Sequence, residues 1–202
     1  MKSSNSTNAT RASLLVRAME RDQMAWRQMV DLYGPLVAQW CRGCGLDSAT
    51  IADIVQEVFI SLSKSIASFR SPPGTGAFRA WLWKMTRNKL IDWKRRSQKQ
   101  LKGTSGSDAV HRMEDLVDPM SIPEDEPSSA DALSELTSRA LQQIKAEFQP
   151  QTWAAFWRSA VDGMPSHIIA EELGMSLASV RQARSRILRR FRAQLGDSKN
   201  DV

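Results

Sequence analysis

From Ser176 to Arg192 the chain carries six arginines and no acid. Arg181, Gln182 and Ser185 share one side of that stretch, with Arg184, Arg186, Arg189 and Arg190 beside them. Arg and Gln can each form paired hydrogen bonds to guanine and adenine edges in a major groove, and flanking arginines suit phosphates. A basic protein-binding helix is the competing reading. A second set is Arg79, Trp83, Arg87 and Lys94, at spacings of four, four and seven, flanked by Lys84, Asn88, Arg95 and Arg96. Rings interleaved with cations at helical spacing provide stacking platforms for bases and charges for phosphates, with stacking worth about 1 to 3 kcal/mol per base. An ordinary solvated face with Trp83 packed on a neighbour fits this pattern equally well. A third set, Asp53, Gln56, Glu57, Ile60 and Lys64, places carboxylates beside apolar groups, and Phe59 widens the apolar arc. That arc reads either as a generously packed bundle helix, which periodicity alone favours, or as a docking surface for a partner with basic and apolar patches.

These residues need helices to hold them. In Met164 to Arg192, Pro165 opens a helix, Ala170 permits close crossing, Gly174 supplies a left-handed turn, Ser176 caps the next helix and Val180 returns to the core. This is helix-turn-helix spacing, with Val180, Ala183, Ile187, Phe191 and Leu195 inward. Turn chemistry, core periodicity and charge agree there, which favours duplex DNA over a protein partner. Upstream, Leu133 to Phe148 and Trp153 to Val161 predict two more helices. In the N-terminal half, Trp26 to Cys44 predicts a helix ended by Gly45, with Pro35 kinking or breaking it. A second helix starts after Asp47 or Ser48 and buries Ile51, Ile54, Val55, Val58, Leu62 and Ile66. A third runs from about Gly76 to Lys99, with Phe78, Trp81, Leu82, Met85 and Asp92 on one side.

Charge alternates along the chain. Phe78 to Lys102 holds nine bases and one acid, whereas Asp108 to Glu135 holds nine acids and one base, with three prolines. The acidic stretch cannot bury enough apolar surface to offset its ordering entropy alone. The expectation is therefore an all-α protein of two small helical domains, 1–100 and 131–202, joined by a flexible acidic linker over 101–130.

The 202 residues carry 28 Lys+Arg against 22 Asp+Glu, a formal charge of +6 that points to polyanionic partners. No apolar run is long enough to span a bilayer and Met1 to Thr10 is polar, so a cytoplasmic protein without membrane insertion is expected. Cys41 and Cys44 invite a zinc or redox reading, but the two histidines, His111 and His167, lie far along the chain. No phosphate-cradling glycine loop, paired Cys/His nucleophile or helical His pair is present, so neither an enzyme, a metal nor a cofactor is expected.

Taken in order, these motifs resemble a bacterial RNA polymerase sigma factor of the extracytoplasmic-function (ECF) group. Ala52-Asp-Ile-Val-Gln-Glu-Val-Phe-Ile is similar to the region 2 helix that docks on the polymerase clamp. The resemblance implies polymerase contacts at Asp53, Gln56, Glu57, Phe59 and Ile60. Phe78 to Arg96 resembles the segment that melts and reads the minus-ten element, which implies contacts from Phe69, Arg79, Trp83, Lys84, Arg87, Asn88, Arg95 and Arg96. The loop Phe69 to Gly76 takes the place of the one that holds a flipped-out base. Met164 to Arg192 resembles region 4, implying minus-thirty-five contacts from Ser179, Arg181, Gln182, Arg184, Ser185, Arg186 and Arg189. Many members have arginine where Ala183 stands and an aliphatic residue where Arg184 stands. The implied partners are core RNA polymerase, promoter DNA as duplex and melted strand, and an anti-sigma protein. A stand-alone helix-turn-helix regulator is the alternative, and it leaves the Asp53 to Phe59 face unexplained.

Overall fold

The computed structural model describes residues 13–70, 76–102 and 122–196, and every regular element among them is helical. In chain order these are α1 (Leu14–Met19), α2 (Gln23–Arg42), α3 (Ser48–Ser65), a 3-10 turn (Ile66–Ser68), α4 (Ala77–Lys102), α5 (Ala130–Lys145), α6 (Pro150–Ala160), α7 (Ser166–Leu173) and α8 (Leu177–Gln194). The all-α expectation holds, and the periodic stretches coincide with α2 to α8. The short α1 lies in a segment that no motif marked. No helix among the described residues is long and apolar enough to cross a membrane.

Local chemistry accounts for where the helices begin. Asp22 Oδ1 accepts from the Met24 and Ala25 amides at 2.8 and 3.2 Å, capping α2, while its Oδ2 takes two hydrogen bonds from the Arg17 guanidinium at 2.9 and 2.6 Å. The Arg17 bond is the main reason that the Asp22 carboxyl is held below its ordinary pKa. Asp47 caps α3 in the same manner, with its Oδ1 on the Ala49 and Thr50 amides at 2.9 and 3.0 Å. Pro35 does not break α2, which is helical from Gln23 to Arg42. Pro35 has no amide hydrogen to give the carbonyl four residues back; that residue, Asp31, is exposed, so water can serve instead.

Contacts between Cα atoms divide the chain into two units. One contains residues 29–70, 76–102 and 122–136, and the other 13–28 and 137–196. Residues 13–28 thus group with the C-terminal helices rather than with the N-terminal domain that charge and composition suggest. The reason is a small apolar patch: α1 buries Leu14, Leu15 and Ala18 and packs on α8, and the Gln28 carbonyl accepts from Gln143 Nε2 at 3.0 Å.

The first unit is built on α3 against α4, with an aromatic seam. Tyr33 and Phe78 meet edge-on at 5.0 Å, Phe69 meets Phe78 at 5.6 Å and Trp81 at 4.7 Å, and Trp40 meets Trp83 at 5.4 Å. Such pairs add about 0.5 to 1.5 kcal/mol each beyond the area they bury. In the second unit, Ala155, Ile169, Ala170, Val180 and Ala183 form the core beneath α7 and α8. A neighbouring cluster of Ile144, Trp153, Phe156 and Ile187 holds α5 and α6.

Candidate nucleic-acid interface

The junction of α7 and α8 follows the turn chemistry that its sequence specifies. Gly174 adopts φ 61° and ψ 35°, and the Met175 amide reaches the Ala170 carbonyl at 2.8 Å. Ser176 Oγ then accepts the Ser179 amide at 3.1 Å and opens α8. With Val180, Ala183 and Ile187 buried, α8 turns Arg181, Gln182, Arg184, Ser185, Arg186 and Arg189 to solvent, while Ser179 is half-buried. Arg186 lies over the Phe148 ring at 5.9 Å, which orients its guanidinium.

Arg190 departs from the expectation that it joins this outward set. Only 9% exposed, it donates to both carboxylate oxygens of Glu147, Nε at 2.7 Å and Nη2 at 2.6 Å. It follows Ile187 by three residues and precedes Gln194 by four, so it lies on the buried stripe. There Gln194 donates to Gln143 Oε1 at 2.6 Å.

In the first unit, α3 presents Asp53, Gln56 and Ile60 along one exposed ridge, with Ile60 46% exposed. Glu57 is half-buried and lies 3.5 Å from Lys89 and 3.4 Å from Arg96. These three, with Asp92, Arg95 and Lys99, line a basic groove between α3 and α4. Lys89 and Lys99 were not singled out by the sequence motifs, and only the packing of α3 on α4 identifies them. Phe59 does not belong to the exposed ridge. It is 7% exposed, three residues from Leu62 and on the same inward stripe as Val58.

The expected minus-ten residues on α4 fall into two groups. Lys84, Asn88, Arg95 and Arg96 are exposed. Trp83 is 2% exposed, and its Nε1 donates to the Glu124 carbonyl at 3.1 Å, so it offers no open ring face for stacking. Arg87 Nε donates to the Pro123 carbonyl at 3.0 Å, and Arg79 lies 3.7 Å from Glu126 Oε1. Gly76, with φ +85°, admits the Arg79 side chain here, since a Cβ would stand 2.9 Å from its guanidinium. Phe69 is buried against Phe78 and Trp81 rather than free to meet a base. Lys94, on the side of Arg79, Trp83 and Arg87, is 1% exposed, whereas Asp92, on the side of Phe78 and Leu82, is at the surface. Residues 71–75 of the loop expected to hold a flipped-out base lie outside the described residues.

Residues 29–100 match the family model for sigma-70 region 2. This stretch of the chain is similar to sigma-70 region 2. The match starts at Met29, which is also where the first structural unit begins. Two relatives are similar to part of the chain. RNA polymerase sigma factor NccH of Alcaligenes xylosoxydans xylosoxydans is 35% identical over 83 residues, covering 41% of this chain and 43% of the relative. RNA polymerase sigma factor CnrH of Cupriavidus metallidurans is 30% identical over 79 residues, covering 39% and 40%. The chain thus aligns with less than half the length of either relative. Both findings bear out the resemblance to a bacterial sigma factor of the ECF group.

The stretch that matches region 2 also contains both cysteines. Burial pushes the Cys41 thiol up to about 12, with the neighbouring Cys44 adding to the shift, and burial raises Cys44 as well. Among the described residues, no group of three or more His, Cys, Asp or Glu residues could hold a metal ion. Because the thiolate is the reactive form, iodoacetamide at mildly alkaline pH should leave both cysteines unmodified in the native chain and alkylate both in urea. Mass spectrometry reads the difference, and rapid native alkylation would show that the α2 terminus opens.

Proposed function

We propose that this chain is an ECF-type sigma factor that binds core RNA polymerase and directs promoter-specific transcription initiation. The observation that carries the reading is the order of parts on one chain: a sigma-70 region 2 at 29–100, followed in the second unit by a helix-turn-helix with an arginine-rich exposed face. In this reading the ridge of Asp53, Gln56 and Ile60, with Glu57 behind it, contacts the polymerase. Lys84, Asn88, Arg95 and Arg96 contact the minus-ten DNA. Arg181, Gln182, Arg184, Ser185, Arg186 and Arg189 read the minus-thirty-five duplex, with Ser179 at the helix entry.

The division of labour follows from the chemistry of each face. Exposed Arg and Gln at the start of a helix fit a major groove, and exposed lysines and arginines on α4 neutralise phosphates. The mixed acidic and apolar ridge of α3 fits neither and suits a protein with basic and apolar patches. The polymerase supplies catalysis, so the chain itself needs neither an active centre nor a cofactor. An anti-sigma protein and a cytoplasmic location belong to the same reading.

Core bacterial RNA polymerase should retain the full-length chain in a pull-down and produce promoter-dependent transcripts with it. The Asp53→Ala, Gln56→Ala double variant should lose most retention and most transcript while keeping its helical circular-dichroism spectrum. If the wild type ignores polymerase but binds a palindromic duplex tightly, the stand-alone regulator is the better description.

A further inference from the structure

The described end of the acidic stretch, from Ile122 to Ser129, is held against region 2 along its length. Ile122 is 2% exposed, a buried aliphatic side chain in an otherwise acidic and proline-rich sequence. From there the chain runs antiparallel to α4, meeting Arg87, then Trp83, then Arg79 through Pro123 O, Glu124 O and Glu126 Oε1. It continues onto α2, where Trp40 Nε1 donates to Ser128 Oγ at 3.1 Å and Gln39 Nε2 donates to Ser129 Oγ at 3.3 Å. Ser128 in turn donates to Glu126 and helps to hold that carboxylate in place.

Every group that α2 and α4 offer along this path is a donor, and every group in the segment that meets them is an oxygen acceptor. On α4 the donors recur every four residues, about 6 Å apart along the helix axis. They are also the ring-and-cation set whose types suit single-stranded nucleic acid. An indole has one N–H, and the Arg87 Nε–H points in one direction, so neither can serve a carbonyl of this chain and a nucleic-acid oxygen at once. The Trp83 ring is enclosed, with Trp40 edge-on to it, and it has no free face while the segment is in place.

We propose that residues 122–129 form an intramolecular acidic strap that occupies the nucleic-acid face of α4 and must leave before single-stranded nucleic acid can bind there. The proposal rests on the nucleic-acid reading of α4 given above. Glu124, Asp125 and Glu126 place three carboxylates over this face, which repel an approaching phosphate until the strap departs. The contacts are individually modest and partly exposed, so the strap is releasable. Tethering keeps its effective concentration high, so modest contacts suffice to keep it docked. Occupancy by the strap lowers apparent affinity by the fraction of molecules whose face is free.

The test uses the full-length chain with Asp125→Cys labelled with bimane, a fluorophore quenched by nearby indoles. Asp125 is exposed, whereas Cys41 and Cys44 are buried, and a parent chain without Asp125→Cys controls for labelling at either. The docked label should be quenched by Trp40 and Trp83 and should brighten as a short oligothymidylate is added. Ile122→Asp, placed in the labelled chain, should be bright without oligonucleotide and should bind it about fivefold or more tightly than the parent. Glu126→Gln, which leaves the apolar anchor intact, should shift both readouts in the same direction by less. Binding is followed separately by anisotropy of a labelled oligonucleotide. If the bimane stays quenched while oligonucleotide binds, or if Ile122→Asp is bright with unchanged affinity, the strap does not compete and the proposal fails alone. If Ile122→Asp is bright yet binds no oligonucleotide, the nucleic-acid reading of this face fails, and the proposal with it.

Discussion

Trp83→Ala should destabilise region 2 by about 3 to 5 kcal/mol, the range for truncating a large buried aromatic side chain. The indole is 2% exposed, meets Trp40 edge-on at 5.4 Å, and satisfies its N–H on the Glu124 carbonyl. Its removal leaves a cavity, an unmatched ring on Trp40 and a strap carbonyl without its donor. Lys84, the next residue, is exposed, and Lys84→Ala should stay within about 0.5 kcal/mol of wild type. Urea unfolding followed by far-ultraviolet circular dichroism compares the two. A near-zero effect at Trp83 would mean that its ring faces solvent, as a permanently open stacking platform would require. Trp83→Phe should recover much of the loss while still lacking the hydrogen bond, which separates packing from strap attachment.

Glu147→Gln should cost about 1 to 3 kcal/mol, because it takes the counter-charge from the buried Arg190 guanidinium while leaving it one acceptor oxygen. Arg190 is 9% exposed at the side chain and Glu147 20%, so water screens the pair only in part. Among the described residues its Nη1 has no hydrogen-bond partner, and the two bonds to Glu147 are the ones seen to hold the group. The double variant Glu147→Leu, Arg190→Leu should regain most of the loss, since two apolar groups leave no charge to solvate. Thermal and urea unfolding of the three variants tests this, and equal stability of Glu147→Gln and wild type would overturn it. Arg189→Ala supplies the contrast from the adjacent position. Its side chain is exposed, so stability should be unchanged, while duplex affinity should fall and the salt dependence of binding should flatten by about one ion. Neighbouring arginines on one helix thus carry different tasks, one holding α8 in place and the other facing the proposed DNA.

Most of the helices were legible in the chain. Asp47 and Ser176 are side-chain caps, Gly174 is a left-handed stop, and the stripes through Ile54, Val58 and Leu62 and through Val180, Ala183 and Ile187 are buried as their spacing requires. These features work within one or two turns of helix, so the local sequence is enough to state them. The ECF resemblance was legible for the same reason, since its motifs are contiguous segments. The first helix, α1, escaped because six residues are too few for a periodic stripe to stand out.

What the sequence could not decide is which of two faces of a helix is covered. The helix α4 is apolar or aromatic on more than one side, with Phe78 and Leu82 on one and Trp83 and Leu90 on another, and all four are buried. The choice between an open ring-and-cation face and a closed one depends on Glu124, 41 residues from Trp83. Likewise, Glu147, 43 residues from Arg190, withdraws one arginine from a row of otherwise exposed ones. Charge and periodicity determined the helices, their ends and the net basic character that suits polyanionic partners. Only tertiary packing decided which of those charged and aromatic groups face solvent, because burial is set by segments far away in the chain and local spacing holds no record of them.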